Sequence, residues 1–211
     1  MALREPVIQH IAGDEEVSRA HLLGLIASRE LALDWVDDAA SHQERATALT
    51  MLASEEGSQG AARGALLGRA IDATRAGLAA APADPKDWMQ LAYRLVLLEG
   101  DVNRPAAEAL LMSIRTAAYG APEFLNRRLF WSLAHWAFYD EDERRQVAAQ
   151  VRLAWRMAPG ALADLTLDIP EFFAPVVSAL EDVPGARETF VAALAFATPS
   201  SRGAARVATG R

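Results

Sequence analysis

The segment Pro82-Ala83-Asp84-Pro85-Lys86-Asp87-Trp88 limits what this chain can fold into more than any other. Pro82 cannot continue the apolar run before it, because its ring removes an N–H and clashes with the preceding turn. Asp84 offers a carboxylate to the free amides of a new helix. Pro85 stands at the first helical position, where a missing N–H is no loss. One helix therefore closes and another opens within a few residues, the geometry of a tight helix-turn-helix connection.

The remaining punctuation predicts helices along almost the whole chain. Asp14-Glu15-Glu16 places acidic charge at a helix start, and Leu22, Leu25, Ile26, Leu33 and Val36 carry helical spacing to about residue 36. Ser41-His42-Gln43-Glu44 reads as a capping box opening the next helix, which ends around Gly57 to Gly60. Helices over 61–81 and from Pro85 to Gly100 flank the segment above. Another starts at Asn103 or Arg104 and ends near Tyr119-Gly120. Pro122 opens a helix carrying Leu129, Leu133, Trp136 and Tyr139; Asp140-Glu141-Asp142-Glu143 marks a further start and Pro159-Gly160 its stop. Shorter helices are expected at about 161–167, 170–181 and 185–197, and a small polar tail over 198–211 is expected to be disordered. No stretch sustains the alternation of a strand, so the expected fold class is all-α.

Within this pattern, Trp88-x2-Leu91-Ala92-x2-Leu95 resembles the first helix of a tetratricopeptide repeat, and Ala107-x3-Leu111 resembles the second. Trp131-x2-Ala134-His135-x2-Phe138 resembles another first helix, with Val147-x3-Val151, Ala154 and Pro159 at the family's spacing behind it. Ala70-x3-Thr74 followed by Pro82 looks like the end of a degenerate unit. Ala92 and His135 stand where the family prefers glycine, and Leu95 replaces an aromatic. The resemblance implies a right-handed, TPR-like α-solenoid of antiparallel helix pairs over 61–159, with an irregular helical bundle as the alternative. Residues 1–60 would then be a cap or oligomer face and 160–197 capping helices. The helix over 61–81 and those before it are candidates for a homodimer face.

Composition removes several function classes. A net charge of −7 argues against a general binder of phosphate backbones, which shows a basic footprint. The absence of cysteine excludes disulfides, thiolate metal sites and cysteine nucleophiles. Lys86 is the single lysine, so arginine carries nearly all positive charge. No apolar run approaches the roughly 20 residues that span a bilayer, and Glu5 and Pro6 interrupt the place where a signal peptide begins its apolar core. A soluble, cytoplasmic protein is expected, or a periplasmic one if a signal or anchor has been removed.

The search for chemistry points to binding rather than catalysis. His10, His21, His42 and His135 share no metal-ligand spacing. Asp140 to Glu143, like Asp37-Asp38, read as helix-start charges, and no G-x-S-x-G, Walker or G-x-G-x-x-G pattern occurs. Residues 1–60 are acidic and lack the turn glycine of a TetR-type DNA-binding head. No metal, cofactor or nucleic acid is therefore expected. By the repeat resemblance, Lys86, Met89, Tyr93 and Val96 would line a protein-binding groove, with Ser132, Trp136 and Tyr139 as their counterparts in the next unit. The paired asparagines of the family's carboxylate clamp are missing. The implied function is a non-enzymatic bacterial adaptor or assembly factor binding a protein segment. Its Asp-Pro turn before tryptophan and its alanine-rich second helices also resemble small helical proteins found beside envelope-polysaccharide machinery. Two alternatives remain: a structural subunit of a larger complex, or a ligand-binding or enzymatic pocket near Trp131, His135 and Trp155.

Overall fold

A computed structural model describes residues 17–55 and 60–196. The expected helix start at Asp14 to Glu16, the stop at 57–59 and the tail over 198–211 lie outside the described residues. Among the described residues the fold is all-α, with no strand. The chain divides into two compact units, Met1–Ala118 and Tyr119–Arg211, a boundary that falls inside the 61–159 stretch.

In the first unit, α1 (Arg19–Leu33), α2 (Ala39–Glu55), α3 (Ala61–Ala80), α4 (Pro85–Glu99) and α5 (Arg104–Thr116) each pack on the next in chain order. Their ends follow from local chemistry. The Asp84 carboxylate accepts from the amides of Lys86 at 2.8 Å and Asp87 at 3.3 Å, with Pro85 at the first position of α4. Gly100 closes α4 in the left-handed region (φ 77°), which a residue with a Cβ adopts only at a cost. Asn103 Oδ1 accepts from the Ala106 amide at 2.9 Å and starts α5. The α4–α5 pair buries Leu91, Ala92 and Leu95 with Ala106, Ala107, Leu110 and Leu111, and Ser113 Oγ donates to Pro85 O at 2.7 Å.

Small residues let α2 and α3 approach closely. A Cβ on Gly77 would lie 3.2 Å from His42 Cβ and 3.4 Å from Ala39 O, a tight contact that would make the facing helix give way slightly. The core of this unit joins Leu22, Leu25 and Ile26 of α1 to Ala48, Leu49 and Leu52 of α2 and Ala70 of α3.

The second unit contains α6 (Pro122–Ala134), a 3-10 turn (Trp136–Phe138), α7 (Glu141–Met157), α8 (Pro159–Asp168), a second 3-10 turn (Pro170–Phe172), α9 (Phe173–Leu180) and α10 (Ala186–Phe196). Here the packing is not sequential: α7 contacts α6, α8 and α9, and α10 lies on α8 and α9. Its core gathers Leu129, Leu133, Val151, Leu162, Phe172, Val176, Leu180 and Phe190.

Four expectations about helix ends are corrected. Asp38, not Ser41, caps α2: its carboxylate accepts from the amides of Ala40 at 3.2 Å and Ser41 at 2.8 Å. The hydrogen bonds from the Ser41 side chain and amide hold Asp38 below its ordinary pKa. Glu44 instead reaches Arg29 of α1 at 2.8 Å. The first helix stops at Leu33, leaving Trp35 and Val36 in the following turn. Pro159 opens α8 at its first position, one residue after Ala158 has closed α7.

The fourth correction concerns Trp136 and Tyr139, which do not continue the helix from Pro122. The carbonyl of Trp131 accepts from both the amide of His135 at 3.2 Å and its ring Nδ1 at 2.7 Å. The chain then tightens into i→i+3 bonds, from Phe138 N to His135 O at 2.9 Å and from Tyr139 N to Trp136 O at 3.3 Å. Phe138 of the second tetratricopeptide-like motif therefore sits in a 3-10 turn, not on a first helix. The expected start at Asp140 holds, as a full capping box: Asp140 accepts from Glu143 N at 2.8 Å, and Glu143 from Asp140 N at 2.9 Å.

Candidate functional site

The residues assigned to a binding groove have different fates. On α4, Lys86 and Tyr93 are exposed and Val96 is half-buried, whereas Met89 is 5% exposed and faces the core. In the second unit, Ser132 and Tyr139 are buried, and only Trp136 keeps partial access, with the Arg144 guanidinium 5.8 Å above its ring. Buried Met89, Ser132 and Tyr139 thus present no side chain to a partner. Lys86 and Tyr93 stand seven residues apart, two turns along one side of α4, with half-buried Gln90 between them.

Of the residues assigned to the alternative pocket, His135 is buried, and Trp131 and Trp155 are half-buried. His135 is fully buried, with the rings of Trp131 and Phe138 at 6.3 and 6.2 Å. Because Nδ1 lies 2.7 Å from the Trp131 carbonyl, the proton must sit on Nδ1, which fixes the tautomer if the ring is neutral. Trp155 packs against the second unit's core, edge-on to Phe190 at 6.1 Å. Among the described residues, no group of three or more His, Asp or Glu is placed to hold a metal ion.

A polar centre not anticipated from sequence lies between α2, α3 and α4. Arg94 is 1% exposed, and its guanidinium donates to three threonine hydroxyls: Nε to Thr50 at 3.0 Å, Nη1 to Thr74 at 2.9 Å and Nη2 to Thr47 at 3.4 Å. Each hydroxyl spends its own hydrogen on the carbonyl four residues back: Thr47 on Gln43, Thr50 on Ala46 and Thr74 on Ala70. Their lone pairs are thereby turned toward the cation. Burial lowers the Arg94 pKa to about 10, against the opposing influence of Asp87, so the group remains charged at neutral pH. The sequence did carry a signal: Arg94 interrupts the apolar stripe of Leu91 and Leu95, and three threonines punctuate the alanine-rich helices facing it. A second buried cation, Arg128, donates from Nη2 to Gln150 Oε1 at 2.5 Å and lies over the Phe124 ring at 5.1 Å.

Asp87, in the first turn of α4, is also buried. Its pKa rises from the ordinary 3.8 to about 6, first through burial and then through the negative charge of Asp84, with Arg94 opposing. A raised folded-state value means the folded chain holds a proton that the unfolded chain has released. The resulting stability is fully present below pH 3.8 and is lost as pH rises through about 6. Melting curves of wild type and Asp87→Asn between pH 4 and 7 should therefore move apart, the variant gaining relative to wild type as pH rises. A difference that stays constant with pH would show that this carboxyl titrates alike in both states.

Comparison with protein-family models, with curated proteins and with solved structures finds none that matches this chain.

Proposed function

We propose that this chain is a non-enzymatic protein-binding adaptor or assembly factor, built as a right-handed tetratricopeptide-like solenoid in its first unit. The support is the ordered succession of packed helices α1 to α5, with Trp88 and Leu91 of the repeat-like motif on α4 and Ala107 and Leu111 on α5. The observation that carries the reading is the exposure of Lys86 and Tyr93 on one side of α4 while Leu91, Ala92 and Leu95 are buried. A partner segment lying along α4 meets a cation at the helix start, an amide at Gln90 and an aromatic ring two turns on. Tyrosine supplies contact area with few rotatable bonds, which is why such residues dominate binding energy at interfaces. Lysine favours an acidic or carboxyl-bearing segment.

The test begins with affinity capture from the source organism, then measures binding of the captured protein in purified form. The variant Lys86→Glu/Tyr93→Ala should lose affinity by at least about tenfold, with its melting temperature unchanged. Retention of full affinity would move the binding surface off α4. Capture that yields nothing beyond an empty-matrix control would remove the adaptor reading itself.

A further inference from the structure

We propose that α1 is the face through which two copies of this chain associate, antiparallel about a two-fold axis passing through Ala27. The inner side of α1 buries Leu22, Leu25 and Ile26 in the first unit's core. Its outer side is apolar as well: Leu23 is 51% exposed, Leu31 63% and Trp35 83%, and Ala27 is also exposed. An isolated surface leucine needs no explanation. A row of four at i, i+4, i+8 and i+12 does, because that spacing forms the continuous ridge by which helices pack on one another. The turn after α1 keeps the row in line, since the amides of Trp35 and Val36 both return to the carbonyl of Ala32, at 3.1 and 3.0 Å.

A second copy fits this ridge because the ridge is palindromic. Read outward from Ala27, the positions four residues away are Leu23 and Leu31, and those eight away are Arg19 and Trp35. An antiparallel copy crossing at about 50°, the angle of paired i±4 ridges, sets alanine on alanine at the axis, where the backbones come closest. Leu23 then meets Leu31 twice. Arg19, exposed while paired with Glu55 at 3.2 Å, comes over Trp35 of the other copy, a cation on an aromatic face. The charges agree in sign: Arg19 marks one end of α1 and Asp34 the other, while Glu30 is held by Arg69 at 3.1 Å. Opposed ends therefore attract, whereas parallel copies would set like charges together. The patch of Leu23, Ala27, Leu31 and Trp35 offers roughly 500 Å² of apolar surface per copy, or about 1,000 Å² per pair, near the lower bound of a specific interface.

The proposal is tested on the full chain by sedimentation equilibrium from about 1 to 100 µM, a range in which an interface of this size associates. The wild type should double in mass. Leu31→Glu, at an exposed position, should keep its circular dichroism and raise the dissociation constant by at least roughly a hundredfold, because the change enters the interface twice. A second test uses the absence of cysteine. Ala27→Cys adds one thiol at the axis, within disulfide reach of its twin, and should cross-link under mild oxidation. Arg75→Cys, also exposed but on α3, should not. A wild type that stays monomeric overturns the proposal. So does a dimer that survives Leu31→Glu, or one that cross-links at residue 75 as readily as at residue 27.

Discussion

Replacing Arg94 by alanine should cost the fold about 3–5 kcal/mol, the range seen when a large buried group with polar partners is truncated. Two effects add. The alanine leaves a cavity where a 1% exposed side chain stood. It also leaves three hydroxyl oxygens, on Thr47, Thr50 and Thr74, facing that cavity without a donor. Methionine, which fills much of the volume and brings no charge to desolvate, should cost less, about 1–2 kcal/mol. Lysine should lie between, since one ammonium cannot reproduce a planar fork that reaches two helices. Urea unfolding of the three variants would establish the order. If alanine and methionine are equally mild, within about 0.5 kcal/mol of each other, the hydroxyls do not anchor the guanidinium and the centre is only a packed side chain.

In the second unit the largest loss is expected at Phe190, on α10. This ring is fully buried, with Trp155 edge-on at 6.1 Å and Phe173 stacked at 6.5 Å. Phe190→Ala should cost about 3–5 kcal/mol through lost transfer energy and an unfilled cavity. Phe190→Leu should cost about 1–1.5 kcal/mol, as a swap that keeps most of the volume. The reason lies in helix length. At 8 and 11 residues, α9 and α10 are too short to persist by propensity alone, and Phe190 joins α10 to Phe173 of α9 and Trp155 of α7. Denaturant unfolding followed by tryptophan fluorescence reads the loss directly. A cost below about 1 kcal/mol for the alanine variant would mean that the aromatic cluster can close over the gap.

Much of the fold was legible because its signals are local. Asp84-Pro85, Asn103, Pro122 and Asp140 with Glu143 each satisfy or spare a free helix amide within three residues, so sequence order alone gives the boundary. The misplaced ends have tertiary or competing causes. Ser41 and Glu44 match a capping box in letters, but Glu44 is drawn to Arg29 on another helix, and Asp38 is free to cap. The helix from Pro122 stops at Ala134, where the His135 ring bonds the Trp131 carbonyl of its own turn, an event that no apolar period reports.

The candidate site was less legible. A repeat template assigns positions to a concave side, but it does not know which of them the neighbouring helices cover. Met89, Ser132 and Tyr139 are covered, and Lys86 and Tyr93 are not. The buried Arg94 was passed over for the opposite reason: periodicity treats arginine as a surface residue, and its three partners lie 20 to 47 positions away.

That arginine also fixes how α4 is set along its neighbours. Helices rich in alanine and leucine present nearly repetitive surfaces, and a displacement by one turn trades one methyl contact for another at little loss. The three hydroxyls do not permit such a trade. Their hydrogens are already committed to backbone carbonyls, so they accept a donor and repel an acceptor. A shift of α4 by one turn, about 5.4 Å, would carry Gln90 or Leu98 to the place of Arg94 and strand a guanidinium among alkyl groups. The threonines act as a keyway and the arginine as its key: the apolar surface holds the helices together, and this one polar fit selects their alignment.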